Sequence, residues 1–275
     1  MNFVTKTHDR ATGAQESKNA PGTGKLDQPK NSSINKVIAV MSGKGGVGKS
    51  SVAALLASEL AKRNFAVGLL DADITGPSIP KLFGVKGTPV TVESQVLPET
   101  SASSIRIMSL NLLLEHEDDP VIWRGPLIAG AVQQFWTDVL WGDIDYMIVD
   151  LPPGTGDVPL TVFQSLPIDG VVIVSTPQEL SEMVVKKAVN MVRMMNVPIL
   201  GLIENMGWVE CPKCKEKIEP FGPTRATAIA RSMEIALLGS LPLDPEVSAL
   251  GDQGLIEKYC SNAVQSITNS ILEKV

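Results

Sequence analysis

The sequence is short of the residues that build disulfide scaffolds, imidazole metal cages and membrane spans. It has three cysteines in 275 residues, an odd count that makes no disulfide framework, so a reducing, intracellular and cytoplasmic setting is expected. Its two histidines, His8 and His116, lie far in sequence from the cysteines and are poor candidates to complete a metal site with them. No apolar run approaches the roughly 18 residues needed to cross a bilayer, and the N-terminus lacks the charged-then-apolar order of a secretory signal. A membrane is therefore not an expected partner. A basic excess is missing too: 24 Lys and Arg against 30 Asp and Glu leave a formal charge of −6. That balance argues against a polyphosphate-tracking surface, so nucleic acid is not an expected partner either.

What the chain does have is apolar residues, 44% of the total, enough for one large α/β domain with a buried core. Residues 1–34 are polar and lack apolar periodicity, so they read as a disordered tail; Asp9, Glu16 and Asp27 speak against a mitochondrial presequence. From residue 35 to 275, short β-branched runs alternate with helical patterns: VIAVM at 37–41, AVGLLD at 66–71, YMIVD at 146–150, GVVIVS at 170–175, PILGLIEN at 198–205 and IALLGS at 235–240. Fully apolar strands separated by helices imply a mostly parallel central sheet covered on both faces, a three-layer α/β domain. Between the strands, Val52, Leu55, Leu56 and Leu60 fall on one helical face, as do Val185, Val189 and Val192. Ligands bind such sheets beyond the carboxyl ends of the strands, so the loops after Met41, Leu70, Val149 and Ile203 should converge.

The first of these loops reads Gly43-Lys44-Gly45-Gly46-Val47-Gly48-Lys49-Ser50. Placed between a strand and a helix, the pattern implies a nucleoside triphosphate with Mg²⁺ on a three-layer P-loop NTPase domain; ATP is the expected nucleotide, since no Asn-Lys-x-Asp guanine motif appears, although these residues do not themselves decide adenine over guanine. Glycines let backbone N–H groups curl around phosphates, the helix N-terminus adds its dipole, Lys49 reaches the β and γ phosphates and Ser50 ligates Mg²⁺. Ser51 follows on the same helix start and completes the expected nucleotide-binding run.

Two aspartate loops accompany it. Leu70-Asp71-Ala72-Asp73 puts two carboxylates at a strand end, before Thr75-Gly76-Pro77-Ser78; Asp71 is suited to supporting Mg²⁺ or the loop fold, and Asp73 to capping the next turn. Met147-Ile148-Val149-Asp150 ends in the carboxylate expected to hold Mg²⁺ through water. The Pro153-Gly154 turn beyond it has an N–H suited to sensing a γ-phosphate. Asn205 offers a donor and an acceptor to a purine edge, and Leu241-Pro242-Leu243-Asp244-Pro245, with Pro242 at its centre, can wall the base.

A different chemistry appears at Glu210-Cys211-Pro212-Lys213-Cys214, in a segment around 207–222 that interrupts the α/β alternation. Two thiolates at this spacing can chelate one metal, but a closed site needs four ligands and the chain has no second pair. Two copies of the chain can supply four across a two-fold axis. A [4Fe–4S] cluster, Zn²⁺ and a redox dithiol all remain open on spacing alone. Cys260, on a late helical pattern, reads as a buried small apolar residue.

Lys44 is one lysine more than an ordinary phosphate loop needs. The form Lys-Gly-Gly-Val-Gly-Lys-Ser resembles the deviant loop of the MinD, ParA and nitrogenase-iron-protein class, and that resemblance implies a homodimer in which Lys44 reaches the partner's phosphates and Asp73 orients or deprotonates the attacking water. Adding Asp-Ala-Asp-Ile-Thr-Gly-Pro-Ser-Ile-Pro at 71–80, Trp-Arg-Gly-Pro at 123–126, Asp-Leu-Pro-Pro-Gly-Thr-Gly-Asp at 150–157, Glu-Asn-Met at 204–206 and Cys-Pro-Lys-Cys at 211–214, residues 35–260 resemble the Mrp/ApbC family. The resemblance implies a slow, homodimeric ATPase with Lys44, Lys49 and Asp73 as catalytic residues. It also implies a labile [4Fe–4S] cluster held by paired Cys211 and Cys214 and handed to apo-proteins, with assembly factors as further partners. The glycine-rich stretch common in that family is replaced here by Phe221-Gly222-Pro223-Thr224-Arg225, and the tail has no four-cysteine motif for a second cluster.

Overall fold

A computed structural model of the chain describes residues 25–73, 76, 78–113, 125–178 and 182–275. Thr75, Pro77, Trp123, Arg124, His8 and His116, all singled out by sequence, lie outside the described residues.

The phosphate-loop strand β1 (Ser33–Ser42) and its neighbours make one eight-stranded sheet. In chain order the elements after β1 are α1 (Lys49–Lys62), β2 (Val67–Asp71), the short α2 (Ile79–Leu82), a small hairpin of β3 (Thr91–Val92) and β4 (Gln95–Val96), then β5 (Glu99–Thr100) and β6 (Arg106–Ser109). There follow α3 (Gly125–Thr137), β7 (Asp143–Asp150), α4 (Asp157–Ser165), β8 (Gly170–Ser175), α5 (Glu182–Met194) and β9 (Ile199–Glu204). A second hairpin of β10 (Val209–Glu210) and β11 (Lys217–Ile218) precedes α6 (Ala226–Ser232), β12 (Leu237–Ser240), α7 (Pro245–Asp252) and α8 (Asn262–Leu272). The sheet order is β12-β9-β8-β1-β7-β2-β6-β5, parallel throughout except where β5 pairs antiparallel with β6 at one edge.

The continuous apolar strands are explained by the layers on both faces. Along β1, Val37, Ala39 and Met41 enter one buried cluster with Trp136, Phe163 and Val189. Ile38 and Val40 enter the other with Leu55, Leu60 and Ile267. This is the two-residue alternation of a strand whose two faces are both inside. Each fully buried branched side chain contributes about 1.5–3 kcal/mol of apolar transfer, and the two clusters together fix the register that brings the strand ends level. Trp136 and Trp141, both wholly buried, satisfy their indole N–H groups on the carbonyls of Asp27 and Phe135 at 2.9 and 3.0 Å.

The predicted tail runs too far. Residues 25–34 pack on the body: Leu26 N–H donates to the Ser165 carbonyl at 2.7 Å, and Gln28 brackets Ile34 by donating to its carbonyl at 2.8 Å and accepting from its N–H at 2.7 Å. Side-chain amides, which sequence polarity counts as solvated, here extend the backbone pairing of β1.

Candidate functional site

Parallel pairing sets the loops after β1, β2, β7 and β9 at one end of the sheet, and they converge as the strand pattern implies. A cavity of about 260 Å³ is lined by Gly45 to Ser51 from the first loop, Asp73, Gly76 and Ser78 from the second and Pro153 from the third. Gly48 opens α1 in the left-handed region, φ 75°, and no side chain caps the helix. The first-turn N–H groups are thus left for an anion from outside the helix. Asn205, from the fourth loop, donates its Nδ2 to the Val47 carbonyl at 2.9 Å. A side chain at position 48 would run into that amide. Lys44 is exposed, outside the cavity lining, with its carbonyl accepting from the Ser42 hydroxyl at 2.9 Å. Gly154 donates its N–H to the Ser42 carbonyl at 2.9 Å, so this switch-type amide is engaged by β1 here.

Beneath the cavity three carboxylates surround one ammonium, which pairs with two of them. Asp71 and Asp150 are direct partners across the β2–β7 register, and both are buried. Lys49 bends back to put its Nζ 2.7 Å from Asp150 Oδ1 and 3.4 Å from Asp73 Oδ2. Burial by itself lowers the Lys49 pKa, but the charges of Asp150, Asp73 and Asp71 outweigh it and hold the ammonium above its ordinary value. Of the three, Asp71 is the one the ammonium does not contact. That side chain meets the Ser109 hydroxyl and the Asp73 N–H, both at 3.0 Å, rather than the lysine. Burial first, and the Asp150 charge second, push Asp71 up to about 8. The second oxygen of Asp150, Oδ2, is buried with no hydrogen-bond partner. A buried carboxylate with one unpaired oxygen that also interacts with the Ser50 hydroxyl suits a hydrated divalent cation such as Mg²⁺, which keeps several waters and takes one or two carboxylates.

A second cavity, about 410 Å³, adjoins the first; Ser51 and Ser78 line both. Its walls include Val52 and Leu55 of α1, Asn205, and Leu241, Pro242 and Leu243 beyond β12. Asp244 caps α7 by accepting from the Glu246 N–H at 2.9 Å and accepts from the Tyr259 hydroxyl at 3.0 Å. A polar cradle opening into a mostly apolar slot matches the division of a nucleotide into phosphates and base.

The cysteine pair sits on the turn of the β10–β11 hairpin. Cys211 N–H donates to the Glu216 carbonyl and Lys215 N–H to the Cys211 carbonyl, both at 2.9 Å, with Lys215 at φ 64°. The thiol of Cys211 is pulled down by the backbone N–H groups of Cys214 and then Lys213, which favour a thiolate. Cys214 is exposed. Among the described residues no group of three or more His, Cys, Asp or Glu side chains is arranged to hold a metal. Cys260, expected to be buried, is exposed in the loop before α8, with Lys62 Nζ 3.4 Å from its sulfur. The helical pattern begins two residues later, at Asn262, so the position carries no core constraint.

Residues 33–275 match the family described as ParA: NUBPL iron-transfer P-loop NTPase. The chain belongs to this family. Among its relatives, an iron-sulfur cluster carrier protein of Methanocaldococcus jannaschii is 44% identical over 250 residues, 89% of this chain and 86% of the relative. The iron-sulfur cluster transfer protein NUBPL of Mus musculus is 44% identical over 223 residues, 80% of this chain and 70% of the relative. In structure, a nucleotide-binding protein of Archaeoglobus fulgidus in complex with ADP superposes with a TM-score of 0.76 at 44% identity, covering 83% of this chain and 90% of that one. The cell-division ATPase MinD of Pyrococcus furiosus superposes at 0.58 and 20% identity, covering 87% and 98%; this likeness is one of fold.

Within this family member, sequence reasoning missed the buried contacts of Glu204 with Ser240 and Thr224, which tie β9 to β12 and to the start of α6. Glu204 appeared only as a letter in a motif. The signal that was available is a carboxylate closing an apolar strand, the same signal that marked Asp150. Among the described residues, no helix is long and apolar enough to cross a membrane.

Proposed function

We propose that the chain is a homodimeric, slowly hydrolysing ATPase that carries a [4Fe–4S] cluster as cargo and delivers it to apo-proteins. The observation that carries this reading is the pair of thiols on an exposed hairpin, two ligands where a cluster needs four, in a member of an iron-transfer NTPase family. Two copies meeting at this hairpin supply Cys211 and Cys214 twice. Assembly factors that load the site and proteins that accept from it are the partners, and a reducing cytoplasm keeps the thiols free.

In the nucleotide site, Gly43 to Ser51 receive the triphosphate through backbone N–H groups, and Lys49 leaves Asp150 to reach the β and γ phosphates. Ser50 and Asp150 would hold Mg²⁺, which would neutralise phosphate charge when bound. Asp73 orients or deprotonates the attacking water. Lys44, exposed on the loop, reaches the partner's phosphates, and Asn205 and Pro242 meet the purine. Hydrolysis is slow because, among the described residues lining the two cavities, there is no arginine to stabilise the transferring phosphoryl group.

The test is iron and acid-labile sulfide per dimer after anaerobic reconstitution, with the visible absorption spectrum. About four of each per dimer are expected, falling to background in Cys211→Ala and Cys214→Ala while calorimetric ATP affinity holds. Zinc at one per dimer without sulfide, or a full cluster in either variant, refutes the cluster-carrier assignment.

A further inference from the structure

Glu204 closes β9 and is 1% exposed. One of its oxygens accepts from the Thr224 hydroxyl and the other from the Ser240 hydroxyl at 2.8 Å. Thr224 stands where the cysteine-bearing segment rejoins the body, and its oxygen also accepts from Ala226 N–H at 3.1 Å as α6 begins. Ser240 closes β12 and leads directly into Leu241 to Leu243, the wall of the larger cavity. The next residue in the chain, Asn205, holds the phosphate loop at Val47.

The departing end of the same segment is tied to the same wall. Gly207 N–H donates to the Leu241 carbonyl at 2.9 Å, and Leu243 N–H donates to the Trp208 carbonyl at 2.7 Å. A side chain at 207 would strike Ser240 Oγ and Glu204 Oε2, so only glycine passes this crowded point. Both ends of the stretch carrying Cys211 and Cys214 are therefore fastened to the nucleotide cavity wall or to the carboxylate that anchors it. A buried carboxylate that loses a donor is left with an unsatisfied charge, which costs more than the hydrogen bond contributes. Ser240 and Thr224 are thus linked through one carboxylate, and a shift of either that breaks its bond is penalised.

We propose that Glu204, acting with Thr224, is a positioning residue that transmits occupancy of the nucleotide cavity to the geometry of the Cys211–Cys214 turn. This inference rests on the nucleotide reading above and adds the physical connection between the two sites.

The experiment uses the full chain, reduced, with exposed Cys260 changed to Ser so that only the paired thiols report. The rate of their reaction with an aromatic disulfide is measured with and without a non-hydrolysable ATP analogue and Mg²⁺, beside the calorimetric affinity for the analogue. In this parent the analogue is expected to change the rate about fivefold or more, the lower end of ordinary coupling between two sites. Thr224→Val keeps the side-chain shape and loses the hydroxyl; its ratio of rates falls to about one while affinity stays within about threefold. Thr224→Ser restores the hydroxyl and the ratio, and Glu204→Gln lowers it. A hydroxyl that merely stiffened the hairpin would change the rate without nucleotide and leave the ratio intact. A parent that binds the analogue with no change in thiol rate, or a Thr224→Val chain that keeps the full ratio, overturns the proposal. A parent that does not bind the analogue overturns the nucleotide reading itself, and this inference with it.

Discussion

Replacing Lys49 by Met tests the charge arrangement under the phosphate cavity through folding stability, independently of any ligand. The lysine and Asp150 are 5% and 0% exposed and 2.7 Å apart. At an effective dielectric of about 20 their attraction is on the order of 6 kcal/mol, most of it offset by desolvating both groups. Removing the lysine alone leaves the desolvated carboxylate without its cation, beside an oxygen that already lacks a partner. The expected loss at pH 7 is about 3–5 kcal/mol. At roughly 2–4 °C per kcal/mol for a chain of this size, the melting temperature falls by about 6–20 °C. At pH 5 the loss should shrink, because Asp150 in the variant can take up a proton. Adding Asp150→Asn to Lys49→Met should recover much of the stability, since the orphaned charge is gone. Urea unfolding of the parent, both single variants and the double variant at pH 5 and 7 measures this. A Lys49→Met loss below about 1 kcal/mol at both pH values would refute the picture of a charge held mainly by its buried partner.

Asp71 keeps its proton to about pH 8 in the folded chain, against an ordinary value of 3.8. Between those values the folded state binds more protons than the unfolded one, so stability without nucleotide falls as pH rises through that window. Asp71→Asn should fold normally and flatten this slope, and an unchanged slope in urea titrations at pH 5 to 8 would remove the assignment. Gln28→Ala removes the two bonds to Ile34 and should cost about 1–3 kcal/mol with faster amide exchange at the start of β1; exchange confined to other segments would contradict it. Gly48→Ala forces a side chain into the left-handed region and against Asn205. It should lose about 1–2 kcal/mol in thermal unfolding, and a neutral result would mean the loop relaxes at no cost.

Six sheet strands were legible because each is a short apolar run between helical patterns, and the central ones are buried on both faces, a pattern no solvent-facing segment needs. The β5–β6 edge was not: Arg106–Ser109 is four residues long and opens with a charged side chain, too brief for periodicity to separate from a loop. The phosphate loop, Asp71, Asp73 and Asp150 could be grouped from sequence because parallel strands deliver their carboxyl ends to one side. That Lys49 turns down toward Asp150 could not be, since rotamer choice depends on charges brought together only by the register of β2 on β7. The same reason hides Glu204. Its partners Ser240 and Thr224 are 36 and 20 residues away, and nothing local distinguishes them from other hydroxyls. The tail boundary failed at Gln28 because a polar side chain can serve as backbone, a substitution that composition does not register.

The two ends of the sheet limit how this chain can meet other proteins. One edge is β5, two residues long and antiparallel to its neighbour; the other is β12, four residues long and packed against α8. Neither offers the long, flat row of unpaired amides that strand-by-strand addition requires. Partners that would recognise an extended peptide edge find little to grip here. On the proposed function, association falls instead to the loop end of the sheet and the hairpin beyond it, where side chains rather than backbone ladders would set who can dock.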